Sequence, residues 1–327
     1  AEALRQRGTP AHYVNPREAG LVLTDESGNA RVLPESYDNL HVLRHTPGVV
    51  VFPGFFGATP RGEIVTFPRG GSDITGSILA RAVGAELYEN FTDIDSVRVV
   101  DPSLVPDAEP IRELTYREMR ELSYTGFSVF NDEALAPVAE VGIPVCIRST
   151  NHPDRPGTRI VSRRDYKPGT IIGIASRGGF CTLYVSKYLM NREVGFGRRL
   201  LRILEKENLS YEHAPSGIDN ISVVFRAQGF DEQVRHRVLE RIRRKLEPDE
   251  VQVEYGHALV MVVGEGMRDT PGIAARATGA LARVGINIEM MNQGSSEISM
   301  TFGVREEKRI PAVKALYRAF FPYSQAP

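Results

Sequence analysis

The 327-residue sequence contains only two cysteines, Cys146 and Cys181. Two are too few for a disulfide scaffold or a cysteine-based zinc site, so both are expected to be buried thiols of a reducing cytoplasm. Net charge is nearly absent: 40 Lys and Arg face 41 Asp and Glu, leaving −1. A dedicated nucleic-acid binder usually carries a clear basic excess, so nucleic acid is not an expected partner. No apolar run approaches the ~20 residues that cross a bilayer, and nothing near Ala1 reads as a signal peptide, so no membrane is expected either. The sequence GxxxxGK[ST] is absent, which excludes a Walker-type phosphate loop. HExxH is absent too, and Gly264-Glu265-Gly266 lacks the third glycine of a dinucleotide fingerprint. The seven histidines, among them His45, His152 and His257, show no ligand spacing, so no metal-binding residues are assigned.

What is present is an ordinary globular composition, 42% apolar and 25% charged. The length suits two or three domains of about 100–200 residues. Residues 1–165 alternate apolar runs at 48–52, 86–91 and 144–147 with helical patterns at about 73–85, 115–124 and 132–141. That alternation predicts an α/β fold with a largely parallel sheet. Turn-forming residues cluster at Asp154–Gly157 and Asp165–Gly169, and a domain boundary is expected there.

Beyond the boundary the sequence repeats itself. Gly195-Phe196 reappears as Gly272-Ile273, and the same 77-residue offset relates Arg199 to Arg276, Leu204 to Leu281, Leu209 to Ile286 and Glu212 to Glu289. It continues through Gly217 and Gly294, Ile221-Ser222 and Ile298-Ser299, and Phe225 and Phe302. Such an ungapped register predicts a duplicated unit. In the first copy the pattern runs strand, helix, strand, strand, helix, strand, which is the ferredoxin-like βαββαβ order. One copy alone would leave its sheet edge open, so the copies are expected to pair. The Arg-rich stretch Arg235–Lys245 reads as one solvated helix face, with Val238, Leu239, Ile242 and Leu246 turned inward.

Two segments carry candidate chemistry. In Arg69-Gly70-Gly71-Ser72-Asp73, the glycines allow close approach of backbone to a ligand, and Ser72 or Asp73 is placed to cap the helix that follows. The helix N-terminus favours an anion, and the Arg69 guanidinium suits a carboxylate. The same residues also make a plain glycine-rich turn. Thr92-Asp93-Ile94-Asp95 follows an apolar strand, where ligands of open α/β sheets bind. It reads equally well as an Asx-turn ending that strand.

Taken over its whole length, the sequence resembles the aspartokinases. The resemblance rests on GFFGATPRGEIVTFPRGGSDITGSILA (54–80), ENFTDIDSVRVVDP (89–102), ELSYTGFSVF (121–130), GIPVCIRSTNHPDRPGT (142–158) and NIEMMNQGSSEISMTFGV (287–304). It implies the C-terminal part of an amino-acid-kinase domain with a mostly parallel sheet (1–168), followed by two ferredoxin-like ACT domains (169–257 and 258–327). Residues 171–186 are expected to pair with the second. It implies phosphorylation of the L-aspartate β-carboxylate by ATP with Mg2+, at the head of lysine, threonine and methionine biosynthesis, in the cytoplasm. Phe55, Arg69, Ser72 and Asp73 would hold aspartate; Thr92, Asp93 and Arg98 would meet the nucleotide.

The family's KFGG segment, whose lysine stabilises the transferred phosphate, is not among these residues, so the chain by itself is expected to be inactive. Many members have Tyr at the position of Arg98, Arg at Ser103, Lys at Ser128 and a His before Pro at Asn131-Asp132. Arg98 is therefore expected to stack in place of the Tyr. By the same resemblance Met190, Glu193, Phe196, Gly197, Ser210, Tyr211 and Glu212, with Asn287 and Ile288 in the second copy, would bind an amino-acid effector, Lys or Thr or both. Glu212 is suited to a lysine ammonium, whereas Phe196, Tyr211 and Ile288 also read as core packing. A homodimer through the ACT domains is expected. The competing readings are a non-catalytic ACT-containing subunit that senses amino acids, and a kinase acting on glutamate or acetylglutamate.

Overall fold

The computed structural model describes residues 1–127 and 132–321. Ser128, Asn131 and the side chain of Asp132 lie outside the described residues. The chain divides into two compact units, residues 1–99 with 108–166 and residues 100–107 with 167–327.

The first unit begins with α1 (Glu2–Gln6), β1 (Ala11–Tyr13), α2 (Glu35–His41) and β2 (Val49–Val51). An antiparallel hairpin of β3 (Phe56–Ala58) and β4 (Ile64–Thr66) then leads into α3 (Gly71–Val83). After these come β5 (Tyr88–Thr92), β6 (Glu113–Thr115), α4 (Tyr116–Tyr124), α5 (Ala136–Val141), β7 (Val145–Ser149) and β8 (Thr158–Val161). The α/β alternation expected from sequence forms, and the sheets are mixed. β1 pairs with β2, β5 with β7 and β6 with β8 in parallel, while β7 and β8 run antiparallel. α3 is held by its apolar stripe: Ile74, Ile78, Ala80 and Ala82 are buried, with Ile78 fully so. Its C-terminus is closed by Gly84 in the left-handed region, whose N–H returns to the last turn.

Behind the sheet, α4 is pinned by a buried charge. Thr115 and Glu118 form a capping box, so each satisfies a backbone N–H of the other. The Glu118 side chain is fully buried, and Arg164 grips it with two nitrogens, Nε to Oε2 at 2.8 Å and Nη2 to Oε1 at 2.6 Å. The bidentate pair places a guanidinium against a carboxylate that is shut away from water.

The second unit is built on β9 (Gly173–Ser186), α6 (Phe196–Glu205), β10 (Tyr211–His213), β11 (Asn220–Arg226), α7 (Glu232–Leu246) and β12 (Glu250–Val263). The second repeat continues with α8 (Ile273–Arg283), β13 (Met290–Asn292), β14 (Ser299–Arg305) and α9 (Arg309–Phe320). Six strands make one antiparallel sheet in the order β10-β11-β9-β12-β14-β13. β9 and β12 are each 14 residues long and run through both repeats. Phe180–Ser186 pair with β11 and with the first half of β12, whereas Gly173–Arg177 pair with Leu259–Val263. A register shift around Gly256 marks the passage from one repeat to the other. The first repeat's core comprises Cys181, Leu183 and Val185 of β9 and Val223 and Phe225 of β11, packed on Phe196, Leu200 and Ile203 of α6 and on Val238, Ile242 and Leu246 of α7. Leu239 is half-buried against the same cluster, and Asp231 caps α7 through the N–H groups of Gln233 and Val234. Among the described residues no helix is long and apolar enough to cross a membrane.

Arg164→Ala strands the buried Glu118 carboxylate and should destabilise the first unit by about 3–5 kcal/mol, the usual cost of removing one partner from a buried ion pair. Urea unfolding followed by fluorescence measures this; an unchanged midpoint would contradict the assignment.

Candidate functional site

Three stretches of the first unit meet at the N-terminus of α3: the loop after β2, the turn Arg69–Gly71 and the end of β5. Gly70 turns the chain with φ 84°, a conformation that costs a residue with a Cβ. Its carbonyl accepts the N–H groups of Asp73 (3.0 Å) and Ile74 (3.3 Å), starting the helix from the backbone. The expected side-chain cap from Ser72 or Asp73 does not form. Ser72 is exposed, and Asp73 sends its carboxylate to β5 instead. The N–H groups of Gly71 and Ser72 remain outside the helix ladder, where they suit an anion.

Phe55 is fixed against this helix start. It sits at φ 82°, unusual for a bulky residue, and is 42% exposed. Its N–H donates to Thr75 Oγ1 (3.0 Å), Thr75 donates onward to the Gly71 carbonyl (2.8 Å), and the Phe55 carbonyl accepts from Phe67 N–H (3.0 Å). A Cβ at residue 71 would stand 2.6 Å from Phe67 Cβ and 2.8 Å from the Phe55 ring, so glycine is what permits the approach. A strained, half-exposed aromatic locked by three bonds beside a helix N-terminus is a typical functional-site feature. Arg69 is exposed on the same turn.

The strand β5 carries the second group. Its inner face presents Tyr88, Asn90 and Thr92, while Glu89 and Phe91 face out. Asn90 Nδ2 lies 3.0 Å from Asp73 Oδ1, and Thr92 Oγ1 donates to Asp93 Oδ1 (3.1 Å). Asp93 is exposed at the strand end, and the next carboxylate, Asp95, is paired with Arg155. Arg98 is held by the backbone, donating from Nη1 to the Ala108 carbonyl at 2.7 Å. Ser103 belongs to the second unit, its N–H donating to Asp101.

The expected effector residues lie in different environments. Met190 and Phe196 are buried in the first repeat's core. Glu193 is held by Lys187 (3.0 Å) and Arg199, whose hydrogen bonds keep its carboxyl below the ordinary range. Gly197 lies on α6 with open space where a Cβ would be. Ser210, Tyr211 and Glu212 line an open groove with Arg198, Leu201 and Arg202 of α6. The Glu212 side chain is 10% exposed and accepts from Arg226 Nε at 3.1 Å on Oε1. Asn287 is exposed and Ile288 half-buried on the equivalent loop before β13. The two repeats touch at their edge strands, where Asn292 Nδ2 donates to His213 Nδ1 (3.1 Å); burial lowers the pKa of that imidazole.

Thr75, Tyr88 and Asn90 escaped the sequence reading. Thr75 looks like an ordinary helix residue. Asn90 carried a signal, an amide on the inner face of the strand, two residues from Thr92 on the same face.

Comparison with known proteins agrees with this geometry. The amino acid kinase family profile matches residues 1–149, and an ACT domain profile matches residues 260–320. Aspartokinase 3 of Bacillus subtilis is 57% identical over 321 residues, spanning 98% of this chain and 71% of that protein. Among solved structures, aspartate kinase of Clostridium acetobutylicum superposes with a TM-score of 0.84 at 37% identity, covering 97% of this chain and 72% of that one. Aspartokinase III of E. coli, in complex with aspartate and ADP, gives 0.79 at 26% identity, covering 98% and 72%. The same enzyme with lysine and aspartate gives 0.78 at 25%, with the same coverage. With an amino-acid-kinase unit, a duplicated βαββαβ unit and this degree of likeness along its length, the chain belongs to the aspartokinase family.

Proposed function

We propose that the protein transfers the terminal phosphoryl group of ATP to the β-carboxylate of L-aspartate, giving 4-phospho-L-aspartate and ADP. This is the first step toward lysine, threonine and methionine. The observation that carries the reading is the turn at α3, which offers a guanidinium (Arg69), a carboxylate (Asp73) and helix N–H groups within five residues. That set complements a zwitterionic amino acid bearing a second carboxylate. Phe55 and Ser72 close the aspartate side. Thr92 and Asp93 lie at the nucleotide, and Arg98 offers it the face of its guanidinium.

The acceptor carboxylate is already ionised at neutral pH, so no general base is required. The protein's work is alignment of the attacking oxygen with the phosphoryl group and neutralisation of charge between two anions. Mg2+ suits this site as an ion carried by the nucleotide's phosphates, with few or no protein ligands. Among the described residues no group of three His, Cys, Asp or Glu is arranged to hold one. A purely regulatory subunit would have no use for a locked Phe55 or for the Asp73–Asn90 contact, and this favours the catalytic reading.

The ACT repeats, which we take as residues 169–257 and 258–327, supply feedback control. Ser210, Tyr211 and Glu212 with Gly197 form the open part of the effector site, and Asn287 and Ile288 its second-repeat counterpart. Met190 and Phe196 shape it from beneath, and Glu193 orders the loop before α6. Tyr188, Val194 and Ile218 are 74%, 98% and 71% exposed, and Asn191 N–H donates to the Ile218 carbonyl, so this apolar surface lies in one region of the first repeat. A second copy of the chain, paired through the ACT repeats in a cytoplasmic homodimer, would cover it.

In the full natural protein, Arg69→Ala should raise KM for aspartate by about 10- to 100-fold, as expected when a charged hydrogen bond is lost, with a much smaller change in KM for ATP. Coupled measurement of ADP release tests this, and equal effects on both substrates would count against Arg69 as an aspartate ligand. Titration calorimetry should detect lysine binding that Glu212→Ala weakens by at least about tenfold. Undiminished binding would remove Glu212 from the site.

A further inference from the structure

Asp73 of the RGGSD turn reaches back across the unit to β5 through a set of three hydrogen bonds. Asn90 Nδ2 donates to Asp73 Oδ1 at 3.0 Å and to Tyr88 Oη at 3.2 Å, using both of its amide hydrogens. Tyr88 Oη in turn donates to the Asp73 carbonyl at 3.2 Å. The direction of each bond is fixed chemically: a carboxylate only accepts, so the amide nitrogen of Asn90 has to face Asp73. Burial pushes the Tyr88 hydroxyl up to about 12, so it remains a donor throughout the neutral range. Gly76 makes the arrangement possible, because a Cβ there would stand 2.5 Å from Tyr88 Oη. Asp73 Oδ2 accepts from no described residue.

We propose that Asn90 and Tyr88 are positioning residues that hold the Asp73 carboxylate in one orientation, with Oδ2 presented to the ammonium group of the amino-acid substrate. The proposal rests on the aspartate-kinase reading and deepens it. Asp73 lies on the first turn of α3, where a carboxylate's default is to turn back and cap its own helix. Asn90 draws it away. One donated bond to Oδ1 fixes the side-chain torsions before substrate arrives, so binding does not have to bear that ordering cost. Asn90 also lies two residues before Thr92 on the same face of β5. The Asp73 carboxylate and the nucleotide end of the strand are thereby tied to one rigid element, and the two substrates keep a fixed separation.

The test is steady-state kinetics on the full natural protein with both substrates varied. Asn90→Leu keeps the volume and removes both donors; KM for aspartate should rise about tenfold, as for a lost bond to a charged group, with KM for ATP unchanged. Asn90→Asp gives a readout that a merely structural role would not. The new carboxyl and Asp73 would share a proton, their mutual repulsion raising its affinity above that of an ordinary carboxylate. Asp73 and Tyr88 are the titratable groups bonded to position 90. Below that apparent pKa the shared proton replaces the amide donor; above it the two charges repel. KM for aspartate, taken relative to the natural protein, should therefore be lowest at the acid end of the working range and climb as pH rises.

An unchanged KM for aspartate in Asn90→Leu, a parallel rise in both KM values, or a flat pH ratio for Asn90→Asp would overturn the proposal. Should either variant fail to fold, Tyr88→Phe removes one hydroxyl and should raise KM for aspartate alone by about two- to threefold, the effect of losing one neutral hydrogen bond. No change in that variant also counts against the clamp. A natural protein that releases no ADP in response to aspartate overturns the functional reading itself, an outcome distinct from normal turnover with unaltered variants.

Discussion

The first unit depends on how closely α3 is allowed to approach its neighbours. Glycine at 71 lets the helix start press against Phe67 and Phe55, and glycine at 76 lets Tyr88 lie across the second turn. With side chains at those two places the helix would stand off, because buried contacts at these distances do not yield without moving backbone. The consequences are chemical. Phe55 is held at positive φ only because Thr75 and Phe67 bond both sides of its peptide at this separation. Asp73 meets Asn90 only because Tyr88 has a slot to occupy. The site is therefore produced by two missing methyl-sized groups as much as by the polar residues that line it.

In the second unit the corresponding constraint is continuity. β9 and β12 each pass from one repeat into the other, so the sheet cannot be divided without breaking both strands. A ligand acts on a protein only by binding its alternative states unequally, and here any rearrangement of the first repeat's β9 has to be accommodated by Gly173–Arg177 in the second. The shift of register near Gly256 and the Glu306 carboxylate accepting from Gly179 N–H mark where the two halves are joined. Duplication alone would have produced two independent modules; the exchange of strand halves makes one body of them.

Much of this was legible in advance, for identifiable reasons. The 77-residue offset exposed the duplication because buried β and helix positions repeat with it: Phe225 and Phe302 are both fully buried, and α6 and α8 both start at a glycine in the left-handed region. α7 was read with its inward residues because an amphipathic period of 3.6 survives any tertiary context. The RGGSD turn was recognised, but its cap was not. Local preference assigned that task to Ser72 or Asp73, whereas the backbone of Gly70 performs it and a partner 17 residues away claims the carboxylate. The commitment of Arg98 to Ala108, and the burial of Met190 in the core, likewise depend on where distant chain comes to rest, whereas the core alternative read for Phe196 is the one that forms.

The pairing of Glu212 with Arg226 bears on effector chemistry in a way that sequence could not reveal. A carboxylate 10% exposed and already neutralised appears at first a poor receptor for an ammonium group, since displacing Arg226 would leave a guanidinium without its partner. Displacement is not required. Arg226 Nε engages Oε1 alone, and Oε2 accepts from no described residue. A carboxylate has lone pairs for several donors, so an ammonium can join the pair rather than break it. The binding energy is then the increment from a second cation on a half-neutralised anion, smaller than for a bare carboxylate, and the resting site is spared an unpaired buried charge. Lysine carries such a second cation on a flexible four-carbon stem, whereas threonine has only its hydroxyl to offer at that distance. Under the proposed effector role, Glu212 would discriminate by charge, with the stem lying in the open groove that Arg198 and Leu201 line.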